Sequence, residues 1–387
     1  MPVSVSCHAA VSTQLNAIFV SLELSRSTWL VTSLSPGRGE RISRHQVKGS
    51  DVPALLERFA QLQAKARERT GEQYPLVVIQ EAGLDGFWIH RCLVREGIES
   101  YVVDAASIAA SRRSRRAKTD KLDGEALVRT LLAYKRGEPR VCAMVAVPSV
   151  EDEDRRRISR ERRALVVERV RHVNRIKGLL FAQGVGDYEP LRADRRARLD
   201  ELVTGDGRPL PRHVRREIER ELDRLEMVVG QIKQVEAERD ALLEPRSDAA
   251  GEADTGPRLI QLRGIGPEFA GVLHAEAFFR SFSNRRQVAA YAGLAPSPWQ
   301  SGSMDREQGV SKAGNKRLRT TMIQVAWLWL RHQPDSELTK WYAERVGANG
   351  GRARRVMIVA VARKLLIALW QFVSAGVVPA GALLKAA

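Results

Sequence analysis

AIFVSLEL, Ala17–Leu24, is the stretch that decides the fold. It is apolar nearly throughout, and Trp29–Leu34 and Arg41–Val47 follow it with turn signals at Ser25–Ser27 and Pro36–Gly37. Short apolar runs separated by turn residues read as strands joined by hairpins. Val52, Leu55, Leu56, Phe59 and Leu62 then recur at the helical period, so Val52–Arg69 is expected to be a helix. LVVIQ (Leu76–Gln80) reads as a buried strand, Gly86–Glu96 as a helix and SYVVD (Ser100–Asp104) as a further strand, with a helix after it. Three strands, helix, strand, helix, strand, helix is the order of an α/β domain of ribonuclease-H-like type, a hairpin-built sheet extended by crossover units. Its expected span is residues 15–140.

Residues 151–245 change character, with few aromatics, many charges and long helical periodicity. Ile218, Leu222, Leu225, Val229 and Ile232 alternate spacings of four and three, the seam of a coiled coil. Val166, Val170, Val173, Ile176 and Leu180 repeat the pattern upstream. Two long helices joined by an irregular segment are expected, with the seam buried against each other or a second subunit. SDAAGEADTGP (Ser247–Pro257) has linker composition, giving a linker at 246–257. A mostly helical unit is expected over 258–345 and a last helix over 352–375. The fold class is therefore α/β plus α.

The chain has 387 residues, 63 basic and 46 acidic, for a net charge of +17. Arg supplies 51 of the 63 basic residues, and its planar fork grips phosphate with two hydrogen bonds. Arg112, Arg113, Arg115, Arg116, Lys118 and Lys121 fall within ten residues, and a second basic run extends from Arg155 to Lys177. A charge run is commonly a solvated face; two on so basic a chain point to nucleic acid, bound more weakly as salt rises. Cys7, Cys92 and Cys142 are odd in number and scattered, against a disulfide scaffold or a cysteine zinc site. The longest apolar helix, Val356–Val373, is broken by Arg363 and Lys364, so no membrane span is expected. With no secretory leader expected either, the protein reads as reduced and cytoplasmic.

Several residues could carry chemistry. Glu81 follows the apolar strand Leu76–Gln80, and Glu23 lies near the end of the first strand. Strand ends are where α/β folds place their sites. Asp120 and Asp123 in KTDKLDGEAL lie three apart near a helix start, on one face, an arrangement suited to Mg²⁺. The alternative is a helix cap with a second acid at the positive helix end. Gly264-Ile265-Gly266-Pro267, between two apolar stretches, fits a helix-hairpin-helix that cradles phosphate, or an ordinary tight turn. Ala295–Gly302 reads as an exposed loop, followed by Lys312, Lys316, Arg317 and Arg319. A serine there could attack a phosphodiester, yet Ser297, Ser301, Ser303 and Ser311 are not separable on these grounds. The histidines show no ligand spacing, and Trp327, Trp329 and Trp341 read as core residues or base-stacking platforms.

VSLELSRSTW, VVIQEAGLDGFW, AKTDKLDGEAL, LRGIGPEFAGVLHAE and YAGLAPSPWQSG…GVSKAGNKRLR occur in one order that resembles the IS110 (DEDD) family of bacterial insertion-sequence transposases. The resemblance spans about residues 16–335. It implies a RuvC-like domain with four acids, a coiled-coil region and a C-terminal transposase domain bearing a serine. Carried over, the acids are Glu23, Glu81, Asp120 and Asp123, holding Mg²⁺, and the serine is Ser301, the one before a glycine. Nucleic-acid contacts are expected from Arg112, Arg113, Arg115, Arg116, Lys118, Gly264, Gly266, Lys312, Lys316, Arg317 and Arg319. Similar proteins are recombinases guided by a structured bridge RNA that pairs with donor and target DNA, and a homo-oligomer is implied. The family's first acid is normally Asp; Glu23 is one methylene longer and still a ligand for Mg²⁺. Two other readings fit the residues: a RuvC-like nuclease using activated water, and a catalytically silent nucleic-acid-binding protein.

Overall fold

The structure is a computed structural model that describes residues 15–37, 41–83, 86–108, 120–139, 141–244, 255–301, 304–311, 314–347 and 351–385. The side chains of 106, 120–122, 297–301, 304–308 and 352 are outside that description. The chain divides into two compact units, Met1–Val147 and Pro148–Ala387.

The first unit is built on a sheet of β1 (Ile18–Glu23), β2 (Thr28–Leu34), β3 (Ile42–Lys48), β4 (Leu76–Glu81) and β5 (Glu99–Val103). The strand order is β3-β2-β1-β4-β5. The β1–β2 and β2–β3 pairs are antiparallel and the β1–β4 and β4–β5 pairs parallel. The continuous apolar runs of β1 and β4 suit the sheet centre, where both faces are covered. One face packs on α1 (Val52–Thr70) and α2 (Trp88–Arg95) through Ile18, Val20, Leu22, Val78, Leu55, Phe59, Ile89 and Leu93. The other packs on α3 (Asp120–Lys135) through Phe19, Val77, Ile79, Val103, Leu127, Val128 and Leu131. The α1 helix starts where Asp51 accepts the Ala54 amide, and it stops at Gly71, whose φ of 78° suits a residue without Cβ. The expected element order is present, with ends displaced by one or two residues.

In the second unit α4 (Val150–Phe181) and α6 (Arg212–Leu242) pack antiparallel, with α5 (Arg195–Asp200) in the connection. Arg162–Glu236, His172–Glu221 and Arg175–Glu217 run in opposite chain directions, which sets that sense. Ser149 caps α4 by accepting the Asp152 amide, and Glu151, Asp152 and Glu153 sit at its positive end. Ile176, Leu180, Ile218, Leu222 and Leu225 form one buried cluster and Leu165, Val228, Ile232 and Val235 another. The α6 seam follows the expected positions, with Val228 buried more fully than Val229. On α4, Val170 is 47% exposed and lies off the buried seam, which runs instead through Leu165, Ile176 and Leu180.

The remaining helices are α7 (Thr255–Ile260), α8 (Pro267–Leu273), α9 (Arg285–Tyr291), α10 (Lys316–His332), α11 (Glu337–Val346) and α12 (Gly351–Ala375). They share one core that includes Leu262, Ile265, Met322, Val325, Trp329, Val361, Leu365 and Leu369. Residues 246–254 of the expected linker lie outside the described residues, and 255–257 begin α7. The α12 helix is long and apolar enough to cross a membrane by composition, but Val361, Ala362, Leu365, Leu366 and Leu369 are wholly buried in this core. Trp329 is also core, its Nε1 donating to Ser336 Oγ at 2.9 Å. Trp341 lies between Arg345 and Lys364, and Trp327 is 44% exposed with its ring edge-on to Tyr342.

Residues 295–302, expected to be a loop, are a strand for most of their length. β6 (Pro296–Ser301) pairs antiparallel with β7 (Met304–Val310), ending on the Ser301–Met304 pair. Proline has no N–H to give a ladder, and a two-stranded ribbon has only edges on which to tolerate it. The register shifts between Pro296 and Pro298, where two missing donors fall together.

Candidate active site

Glu23 and Glu81 are the last residues of β1 and β4. The parallel register pairs Leu22 with Gln80, so the two acids occupy the next level of adjacent strands, whose backbones lie about 4.8 Å apart in any sheet. β1 pairs with β2 on one side and β4 on the other. The chain reverses its direction of sheet growth there, and α/β sheets open a crevice at such carboxyl ends. Side chains alternate along a strand. Ser21 and Ile79 face α3, so Glu23 and Glu81, two residues on, do too.

The α3 helix closes the arrangement. Ser21 Oγ donates to the Gly124 carbonyl at 2.8 Å, which pins the first turn of α3 to β1. Glu23 Oε1 occupies the space a side chain at 124 would need: a Cβ there would stand 2.5 Å from it and 2.6 Å from Thr32 Oγ1. Asp123 is the neighbour of that glycine and is half-buried. Asp120 begins α3 one turn earlier, with its side chain outside the described residues. Glu23 and Glu81 thus end adjacent strands, and the first turn of α3, on which Asp120 and Asp123 lie, packs over β1 at Gly124. The donors are all carboxylate oxygens, the set a hard divalent cation takes. Among the described residues, no three acidic, histidine or cysteine side chains are already close enough to hold a metal.

A cleft of about 800 Å³ opens beside Glu23, lined also by Arg44, His45, Thr28 and Leu30. Arg44 Nη2 donates to Glu125 Oε2 at 3.1 Å, and Arg129 holds the other carboxylate oxygen of Glu125 at 3.0 Å. This pair ties β3 to α3 next to Asp123. Sequence reasoning missed it, because nothing in the spacing of residues 81 apart announces a contact.

The serine-bearing hairpin belongs to the second unit. Its base is fixed by the Ser311 amide donating to the Ala295 carbonyl at 2.8 Å and by the Asn315 amide donating to the Tyr291 carbonyl at 2.7 Å. Gly314 has φ +100°, and a Cβ on it would meet the Tyr291 carbonyl oxygen at 2.5 Å, so only glycine closes this junction. Ser311 is thus at the anchored base and Ser301 at the far end of β6. Ser297 lies within β6, and Ser303 is outside the described residues.

A family model described as "Transposase IS116/IS110/IS902 family" matches residues 256–340, and a second, the DEDD transposase model of IS110 elements, matches residues 37–182. The chain is 65% identical over 382 residues to the y4rJ protein of Sinorhizobium fredii, named as a transposase, covering 97% of this chain and 96% of that protein. The chain belongs to the IS110 family of transposases. It is also 23% identical over 331 residues to the transposase for insertion sequence element IS1328 of Yersinia enterocolitica, covering 84% of this chain and 91% of that one. With the transposase for IS1111A of Coxiella burnetii it shares 26% over 262 residues, 66% of each chain. The DEDD domain of this family implies a ribonuclease-H-like fold, in keeping with the mixed sheet of the first unit. The DEDD match takes in Glu81, Asp120 and Asp123, and the other match takes in Ser301.

In this IS110-family transposase Gly124 gives a sharp test. Glycine to alanine inside a helix ordinarily gains about 1 kcal/mol. At Gly124 the added methyl displaces Glu23 and strikes the buried Thr32, and overpacking of this kind costs about 1–3 kcal/mol. Gly124→Ala is therefore expected to lower the melting temperature of the transposase; a melting temperature equal to or above wild type contradicts this packing.

The expected nucleic-acid contacts fall unevenly. Arg112, Arg113, Arg115, Arg116, Lys118 and Lys312 lie outside the described residues. Lys316 is exposed on the first turn of α10 and Arg319 is half-buried. Arg317 turns inward: its side chain is 16% exposed, its Nη2 donates to the Ser159 carbonyl at 2.5 Å and its Nε faces Glu276 at 3.6 Å. Gly266 caps α8 ahead of Pro267, and Gly264, at φ +89°, leaves room for His332. The Arg263 and Ile265 carbonyls of this turn accept from Gln333 Nε2 and Lys385 Nζ, which binds it to the end of α10 and to the segment after α12.

Proposed function

We propose that this transposase cuts and rejoins donor and target DNA through a phosphoserine link, with Mg²⁺ held by Glu23, Glu81, Asp120 and Asp123 and with Ser301 as nucleophile. The observation that supports it most is the meeting of Glu23, Glu81 and the Asp123–Gly124 corner at one sheet end. Mg²⁺ held by these carboxylates would supply positive charge to the phosphate oxygens. The carboxylates would fix where that charge sits, and two of the four residues belong to α3.

Ser301 Oγ forms the new bond to phosphorus. One phosphorus–oxygen bond to deoxyribose breaks, and the released hydroxyl takes up the proton that the serine gives up. The phosphoester bond is exchanged, so no external energy source is needed for rejoining. Attack by a second DNA hydroxyl reverses the step and frees Ser301.

The guide is a structured RNA encoded with the element, which pairs with both DNAs. Lys316, Arg319, the run from Arg112 to Lys118, Lys312 and the turn at Gly264 and Gly266 provide the nucleic-acid surface. The long α4–α6 hairpin acts as the coiled-coil arm of a cytoplasmic homo-oligomer. The test is to incubate the full chain, guide RNA and element-end DNA with Mg²⁺ and run the products under denaturing conditions. A covalent protein–DNA species is expected. DNA ends free of protein would replace this reading with hydrolysis by water, and salt-sensitive binding without breakage would replace it with a silent binding protein.

A further inference from the structure

Glu276 is a carboxylate at 1% exposure, far from the acids of the first unit in sequence and absent from the steps above. It lies in a π-helical turn, His274–Phe278, that continues α8. One widened turn in a helix re-aims a side chain, and such turns gather at functional sites. Arg160 of α4 grips Glu276 with both arms, at 3.1 and 3.4 Å. Arg317 of α10 adds a second guanidinium. Asn315 Nδ2 donates to Glu276 Oε2 at 3.0 Å.

Asn315 does three things at once. Its Oδ1 accepts the Leu318 amide and caps α10, its own amide closes the hairpin base on Tyr291, and its Nδ2 reads Glu276. A buried cluster of this kind adds little stability over an apolar core of equal shape, while removing one partner is costly. What it supplies is direction, because each bond fixes an angle as well as a distance.

We propose that Glu276 is a positioning residue of the transposition reaction: through Asn315 it fixes the base of the β6–β7 hairpin against α4 and so aims Ser301. The proposal rests on the reading of Ser301 as nucleophile. Burial alone would push the Glu276 carboxyl up, but the hydrogen bonds from Arg160 and Asn315 and the charges of Arg160 and Arg317 hold it below the usual carboxylate range. It therefore stays an anion at neutral pH and a constant acceptor for Asn315.

The test uses the full chain with guide RNA and element-end DNA, comparing Asn315→Ser, Glu276→Gln and the double variant. Serine caps a helix as well as asparagine, so N315S keeps the α10 cap and loses only the donor to Glu276. If the hairpin is aimed through this bond, the adduct rate at saturating DNA falls about tenfold or more in either single variant. The DNA concentration for half-saturation stays as in wild type, and the double variant is no slower than the slower single, as for two residues acting through one contact. Hydrogen exchange at the Ser311 and Asn315 amides is expected to quicken in both. A residue that serves only to cap α10 predicts wild-type rate and exchange for N315S, and that result overturns the proposal. If wild type forms no adduct, the serine reading has failed instead, and exchange alone decides here: unchanged protection in N315S and E276Q overturns the anchor.

Discussion

Ser301→Ala is expected to bind DNA as wild type does and to lose the covalent adduct by a factor of at least about 10³, the scale seen when a nucleophile is deleted from an otherwise intact site. Binding survives because a neutral hydroxyl at the end of β6 adds little to an affinity dominated by phosphate contacts from Lys and Arg. The fold survives because the hairpin is held at its other end, by the Ser311 and Asn315 amides. Ser311→Ala and Ser297→Ala, at the base and in the middle of the ribbon, serve as controls and are expected to retain the adduct. Denaturing electrophoresis of end-labelled DNA reads all three. An adduct undiminished in S301A would remove the serine from the mechanism.

The second large effect belongs to the acids. Asp123→Asn keeps the shape of the side chain and takes away its charge on the first turn of α3, one residue before Gly124. Charge stabilisation from a cation that such a carboxylate would hold is on the order of 10²–10³ in rate, so cleavage by D123N is expected to fall by about that factor. Glu81→Gln, on the neighbouring strand end, is expected to behave alike. Without added Mg²⁺ both variants are expected to bind DNA at least as tightly as wild type, because one negative charge facing phosphate has gone. Lower activity joined to weaker binding would mean a damaged fold; wild-type cleavage by D123N would mean that Asp123 is not a ligand.

Much of this site is legible before any coordinates. The apolar run of β4 marks it as a central strand and puts Glu81 at its end, and the three-residue spacing of Asp120 and Asp123 puts both acids on one helix face. Strand periodicity alone does not say that Glu23 stands next to Gly124, since 100 residues separate them and the contact forms only where α3 packs across the sheet. The β6–β7 hairpin was hidden for a different reason. Pro296 and Pro298 look like strand breakers, and with Ser297, Ser301 and Gly302 they give the stretch the composition of a loop. Arg317 reads as a phosphate contact by its company, Lys316 and Arg319, yet its face of α10 is the buried one. Charge composition does not resolve which side of a helix a residue takes. Glu276 left no mark at all, because its partners Arg160 and Asn315 lie 116 and 39 residues away.

The central claim of the proposed function is that Ser301 and the carboxylates serve the same cleavage step. The most direct measurement traps the adduct formed with Mg²⁺, digests protein and DNA, and locates the phosphonucleotide by mass spectrometry. The account places it on Ser301 in wild type and finds it reduced by about 10²–10³ in D123N. A nucleotide on any other residue, or one that forms equally well in D123N, contradicts it.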